Sequence, residues 1–144
     1  MGPEKFWWRI KVACGAALIL NAVIHFLGPA GAGIVPRLLA QTVAVGGGLT
    51  TLLHHRLLRR ARGSNGAATL LTRGGLFNWI RHPMYTGDLL LYTGLTLLAP
   101  NSVSVLLLVL GAFALYRQAR AEDAYLLSVH GEAFSAWQAR TRLL

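Results

Sequence analysis

Acidic residues are scarce in this 144-residue chain, with five Asp and Glu against 14 Lys and Arg and a net charge of +9. Charged residues of both signs make up only 13%, roughly half the ~25% of a soluble domain, too few to cover a fold with water-facing groups. Cys14 is the only cysteine, which excludes an intrachain disulfide and leaves no second thiolate for a metal site. It lies in an apolar run and reads as packing. No strand-like alternation precedes a glycine-rich turn, so the soluble nucleotide-binding folds built on that pattern are not expected. Neither a metal-ligand spacing nor a repeat is evident.

What is present is apolar: 54% of the residues, with a mean hydropathy of +0.48, gathered in long blocks. The first, Val12 to Pro29, is about 27 Å long as a helix, just enough for the ~30 Å hydrocarbon layer. Asn21 and His25 interrupt it and no small-x-small cleavage site follows, so it reads as a retained helix rather than a leader. The second block, Gly33 to Leu53, carries Arg37, Gln41 and the run Gly46-Gly47-Gly48, which weakens a helix but permits close approach of a neighbour. The third, Met84 to Ala99, and the fourth, Val103 to Tyr116, are short, and Pro100-Asn101-Ser102 joins them as a tight hairpin.

Basic residues fall between these blocks. From His54 to Arg81 the chain holds six arginines and no acid and reads as a cytoplasmic loop, with turns at Gly63-Ser64-Asn65-Gly66 and Gly74-Gly75 around a short amphipathic segment. Lys5, Arg9 and Lys11 precede the first block, and Arg117 and Arg120 follow the fourth. This bias predicts an all-α integral membrane protein with about four transmembrane helices, both termini cytoplasmic. Residues 1–144 form one membrane-embedded domain, and a cytoplasmic helical segment after Tyr116 is interrupted near Gly131. The positive charge is thereby assigned to membrane lipids rather than nucleic acid. Trp7, Trp8, Trp79 and Tyr116 lie near the proposed boundaries, where amphipathic rings collect.

Two places concentrate chemistry. In Arg81-His82-Pro83-Met84-Tyr85-Thr86-Gly87-Asp88, the proline starts a helix and holds His82 extended, so polar side chains gather where a basic segment meets an apolar one. An interfacial anchor would look the same. Glu122-Asp123 places adjacent carboxylates just past the fourth block; they diverge on a helix, so one can face a pocket while the other pairs with an arginine. A solvated helical face is the alternative. Asp88 lies inside the third block and needs a partner or water. Asn21 and His25 share a face and can bond to another helix, while His54 and His55 read as interfacial.

The stretch GLFNWIRHPMYTGDLLLYTG and the later AEDAYLLSVHG resemble the integral-membrane methyltransferases related to isoprenylcysteine carboxyl methyltransferase and to bacterial phospholipid methyltransferases. The resemblance runs from Leu71 to Arg142. That family pairs RHPxYxG with EExxLxxxFG, which here correspond to His82 and Tyr85, to Glu122 and Asp123, and to Leu126. Asp123 replaces a glutamate, His130 stands where the family has phenylalanine, and Phe134 and Trp137 stand at its two later tyrosine positions. The family's arginine near the end of the match corresponds to Arg142, with Arg140 as a substitute.

The resemblance implies transfer of a methyl group from S-adenosyl-L-methionine to a lipidic or small apolar acceptor at the cytoplasmic face of a membrane, such as the bacterial inner membrane. His82, Tyr85, Glu122, Asp123, Arg142 and Arg81 would hold the cofactor, and Glu122, His82 and Tyr85 would be catalytic. Carboxylates suit its cationic groups and an arginine its carboxylate. Two other activities share parts of this pattern: an NADPH-dependent membrane reductase, because sterol reductases carry a related Arg-His-x-x-Tyr segment, and a non-enzymatic membrane ligand-binding protein.

Overall fold

A computed structural model of the chain describes residues 3–27, 33–65 and 75–144. They form helices α1 (Pro3–Leu27), α2 (Ile34–Asn65), α3 (Pro83–Leu98), α4 (Ser102–His130) and α5 (Glu132–Arg140), with a 3-10 turn at Gly75–Asn78. Among the described residues the nearest approach to a sheet is one parallel bridge between Ile80 and Arg142. Pro83 opens α3 because its missing N–H would be unpaired there anyway. The α3–α4 hairpin turns at Pro100, and Asn101 restarts the helix by a reciprocal cap: its side chain accepts from the Ser104 amide at 2.9 Å while its own amide donates to Ser104 Oγ at 3.1 Å. Gly131, at φ 53°, reverses the chain between α4 and α5 in a conformation that favours glycine.

α1 and α4 run antiparallel, with Trp7 against Phe113 and Asn21 accepting from the Asn101 side-chain amide at 3.3 Å. α2 runs antiparallel to α3 in the largest interface of the fold. The interior is small and polar-tinged and the outside is greasy, the reverse of a soluble domain. Ala22, Ala119, Tyr85 and Tyr92 are buried beside Leu18, Leu95 and Leu115, while Leu20 of α1, Leu39 of α2 and Val109 of α4 are each about 60% exposed. So much outward apolar side chain suits lipid, not water. α1 from Lys5 to His25 and α4 are each long and apolar enough to cross a membrane.

The structure amends several expectations. α3 has only 16 residues, and Gln41, the glycines and the arginines dilute α2, so by length and composition two described helices qualify as spans rather than four. The expected loop from His54 is helical as far as Asn65; Leu, Arg and Ala, with no proline, carry α2 through Gly63. Thus Gly63 to Asn65 do not turn, while Gly66 and the amphipathic segment up to Gly74 lie outside the described residues. α1 begins at Pro3, not near Val12, which puts Lys11 on the helix. α4 does not end at Tyr116 but continues for another four turns or so. His54 is buried within the protein, bonded through Nδ1 to the Thr50 carbonyl of its own helix at 2.8 Å and edge-on to Phe77.

Of the three consecutive glycines, one faces a neighbour. A Cβ on Gly47 would strike the backbone of Gly87 and Leu91 on α3, and one on Gly94 the backbone of Ala44, whereas Cβ atoms on Gly46 and Gly48 meet nothing within 4 Å. Gly15 and Gly111 together make room for the Tyr92 ring, whose hydroxyl donates to the Lys11 carbonyl at 2.6 Å. We therefore expect Gly46→Ala to raise the thermal midpoint in detergent slightly, by the ~0.5–1 kcal/mol that glycine costs a helix. Gly47→Ala should lower it, through a destabilisation of about 1–3 kcal/mol, the penalty of overpacking. Equal behaviour of the two variants would contradict this packing of α2 on α3.

Candidate functional site

The segment Trp79-Ile80-Arg81-His82 is held by main-chain bonds to the end of the chain. The Arg81 amide donates to the Arg142 carbonyl at 2.8 Å, the Arg142 amide to the Trp79 carbonyl at 2.8 Å, and the His82 amide to the Leu143 carbonyl at 3.3 Å. Pro83 keeps His82 out of the helix, at φ −123° and ψ 63°, which turns its side chain toward α4. Beneath this strap α5 folds back, burying Phe134 and Trp137 against Phe77, and Trp137 Nε1 donates to the Phe77 carbonyl at 3.2 Å.

The ring of His82 lies between the two consecutive carboxylates of α4. Nε2 is 2.8 Å from Asp123 Oδ1, and Nδ1 is 3.4 Å from Glu122 Oε2. Successive helical side chains diverge by about 100°, and the flat ring fills that angle, one nitrogen to each acid. Asp123 Oδ2 accepts from Arg81 Nε at 3.2 Å. The other end of Arg81 is occupied too, since Nη1 donates to the carbonyls of Gln138 at 3.1 Å and Thr141 at 2.7 Å, closing the C-terminal end of α5. Glu122 Oε1 accepts from the Tyr85 hydroxyl at 2.7 Å, and the Tyr85 ring stacks on His82 with centroids 5.4 Å apart.

Exposure divides this cluster. The side chains of Arg81, His82 and Asp123 are 8%, 6% and 7% exposed, but that of Glu122 is 40% exposed. Three members are consumed by one another and Glu122 alone offers its charge outward. Arg142 contributes its backbone to the strap; its side chain is exposed and makes no ion pair among the described residues, and Arg140 is exposed at the end of α5.

Three neighbours carry no signal in the sequence: Lys11, Thr51 and Gln118. Lys11 forms an ion pair with Asp88 at 3.1 Å and lies 4.8 Å above the Tyr85 ring, while Thr51 of α2 donates to Asp88 Oδ1 at 2.9 Å. The register of a lysine against a helix some 77 residues away leaves no local signal, although an embedded Asp88 required a partner. Gln118, one turn before Glu122 on the same face, is buried with its Oε1 lacking a hydrogen-bond partner. Among the described residues no group of His, Cys, Asp and Glu is arranged for a metal ion.

The model of the phospholipid methyltransferase family matches residues 39–133, from α2 through the whole Arg81–Asp88 and Glu122–Asp123 pairing. That match places the chain among the membrane methyltransferases. More narrowly, the chain belongs to the phospholipid methyltransferase family. No curated protein and no solved structure matches it significantly.

α4 is about 43 Å long, well beyond a ~30 Å hydrocarbon layer, and its apolar run ends at Tyr116, so Glu122 and His82 lie past the apolar zone. Burial alone would lower the His82 pKa, but the hydrogen bonds to Asp123 and Glu122 and their charges outweigh it and raise it above the ordinary imidazole value. Burial likewise pushes Glu122 up, yet the bonds from His82 and Tyr85, with the His82 and Lys11 charges, hold it below the usual carboxylate range. The raised His82 contributes stability that is complete below its unfolded value of about 6.5 and lost as pH rises through the folded value. The lowered Glu122 contributes above about 4.3 and loses its share as pH falls through its folded value. The thermal midpoint in detergent should therefore be highest between the two and fall on the alkaline side. His82→Gln should remove the alkaline fall, and its persistence in that variant would show that another group causes it.

Proposed function

We propose that the protein transfers a methyl group from S-adenosylmethionine to a lipidic or small apolar acceptor at a membrane surface. The observation that carries this reading is the division of exposure in the cluster, with Glu122 presented outward from a rigid, charge-satisfied base. The residues fit such a cofactor by their chemistry. Glu122 suits a cationic group, the Tyr85 ring beside it a flat or cationic one, and the vacant Gln118 acceptor suits an N–H donor. Arg142 is the exposed guanidinium best placed by sequence to meet the cofactor's carboxylate. When bound, the cofactor supplies a methyl group on a sulfonium.

The chain's own part is binding, orientation and exclusion of water. His82 fixes the rotamer of Glu122, Asp123 and Arg81 hold His82, and Tyr85 completes the solvation of the Glu122 carboxylate. Because its pKa is held low, Glu122 is a weak base and serves better as a fixed negative charge than as a proton acceptor. In-line displacement needs little else from a protein than alignment and a dry site. Family membership favours methyl transfer over nicotinamide reduction, and Arg81, spent on Asp123 and α5, is not available to hold a phosphate.

We further propose that α2 and α3 cross the membrane together with α1 and α4, since α2 and α3 bury their small faces in each other and α2 turns leucines and valines outward. Both termini would then lie on the arginine-rich side, which the positive-inside bias makes the cytoplasm. Reporter fusions after Ala30, Asn65, Asn101 and Leu144 should read outside, inside, outside and inside; a cytoplasmic reading at Asn101 would rule out the paired spans.

For the activity, Glu122→Gln should weaken S-adenosylmethionine binding in detergent titration calorimetry about tenfold or more, as for loss of a charge-assisted hydrogen bond. Tyr85→Phe should cost less. With labelled cofactor and a host membrane extract, label should enter a lipid or apolar product identified by mass. Label confined to soluble polar metabolites would rule out a lipidic acceptor, and wild-type affinity in the Glu122 variant would rule out its binding role.

A further inference from the structure

A second cluster of charge and aromatic rings lies on another face of α4. Trp7 of α1 and Tyr116, Arg117, Arg120 and Ala121 of α4 line a cavity of about 400 Å³. On a helix, Arg120 and Glu122 point about 200° apart, so this cavity is distinct from the histidine–carboxylate cluster. We propose that it binds the phosphate of an anionic membrane lipid.

Position is the first argument. α1 and α4 are the helices long and apolar enough to cross a membrane, and they pack antiparallel with exposed apolar side chains such as Val12, Leu106, Val109 and Phe113. On α4 no charge interrupts the sequence from Val103 until Arg117. The cavity thus begins where the apolar run stops, at the depth of lipid phosphates, and its two rings are of the kind that sit among headgroups.

Chemistry is the second. Arg117 and Arg120 are three residues apart and so project from neighbouring points on one helical face. The Arg117 guanidinium lies 5.3 Å over the Trp7 ring, and Trp7 is itself braced edge-on by Phe113 at 5.5 Å. A cation–π contact of this kind holds the guanidinium in place and leaves N–H donors for oxygen acceptors. Among the described residues no carboxylate lines the cavity and neither arginine has an ion-pair partner. Asp88 is taken by Lys11 and Asp123 by Arg81 and His82, and Glu122 lies on another face of α4, beside His82 and Tyr85. Two guanidinium forks and a phenol without a protein acid match a phosphate. The same chemistry would take free phosphate, but the cavity's depth and rings favour a phosphate carried on a lipid.

The test uses the purified full-length chain in detergent, with dioleoyl phosphatidylglycerol or dioleoylglycerol, which lacks the phosphate, added in steps and bound lipid counted by native mass spectrometry. The wild type should retain phosphatidylglycerol in preference. Arg117→Gln/Arg120→Gln should lose most of that preference, about fivefold per arginine. Arg56→Gln/Arg59→Gln, which removes equal charge from α2, should keep it. Equal retention of the two lipids by the wild type would overturn the proposal. So would an equal loss in the α2 control, which would indicate diffuse attraction, or displacement of the lipid by equimolar inorganic phosphate, which would indicate a site for small soluble anions. If the double variant aggregates on size-exclusion chromatography, Arg120→Gln alone and the wild-type competition decide.

Discussion

A histidine ring clamped between consecutive carboxylates ties α3 to α4, and the arrangement around it follows from the need to bury that charge. An ion removed from water is tolerated only when its partners and their remaining hydrogen bonds are supplied together. His82 satisfies one oxygen of Asp123 and Arg81 the other. Arg81 in turn must place its remaining donors, and it does so on the open carbonyls at the end of α5. That requirement accounts for the folded-back α5, the Gly131 reversal that permits it, and the terminal strap that pairs Arg142 with the Trp79–Arg81 backbone. The chain is thus closed around a polar knot whose outermost atom set is the Glu122 carboxylate.

The bundle that carries this knot is assembled by a different force. With apolar side chains turned outward, burial of hydrocarbon gives little reason for the helices to associate once lipid surrounds them, and close packing has to supply it. Gly47, Gly87 and Gly94 let α2 and α3 touch backbone to backbone, and Gly15 and Gly111 admit the Tyr92 ring between α1 and α4. The charged contact that crosses the helices, Lys11 with Asp88, and the Thr51 bond to the same carboxylate sit at the same end of the bundle as His82 and Tyr85, while the opposite end is joined by the uncharged Asn21–Asn101 pair. Tight packing without charge at one end and linked charge at the other make a structure whose reactive face is defined by which end the polar residues occupy.

Much of this was legible in the sequence because the informative residues are local. Pro83 announces the start of α3, Pro100-Asn101 the hairpin, Gly131 the break before α5, and Arg81-His82 with Glu122-Asp123 the pairing that the family match also spans. What was hidden depended on register between distant helices. Nothing around Gly46-Gly47-Gly48 says that the middle residue is the one that touches α3, and nothing near Lys11 says that a charge drawn as flanking would reach Asp88. The extension of α2 past His54 is hidden for another reason: a run of arginines resembles a cytoplasmic loop, although arginine is a good helix former and charge alone does not end a helix.

The two acids of α4 show how a one-residue step separates structure from chemistry. Asp123, shorter by a methylene than a glutamate, lies against the buried edge of His82 and is saturated by it and Arg81. Glu122, longer and nearer the opening, meets the other ring nitrogen at the looser distance of 3.4 Å and keeps much of its surface exposed. Stacking Tyr85 on the same ring then adds a donor to Glu122 without covering it. Burying the first carboxylate makes the second reliable: its orientation is set by a base that cannot move without leaving a charge unpaired. Lys11, from the helix that lies outside the family match, adds positive potential over the Tyr85 ring, so the fixed charge of Glu122 is shaped by all three of α1, α3 and α4 rather than by the two matched segments alone.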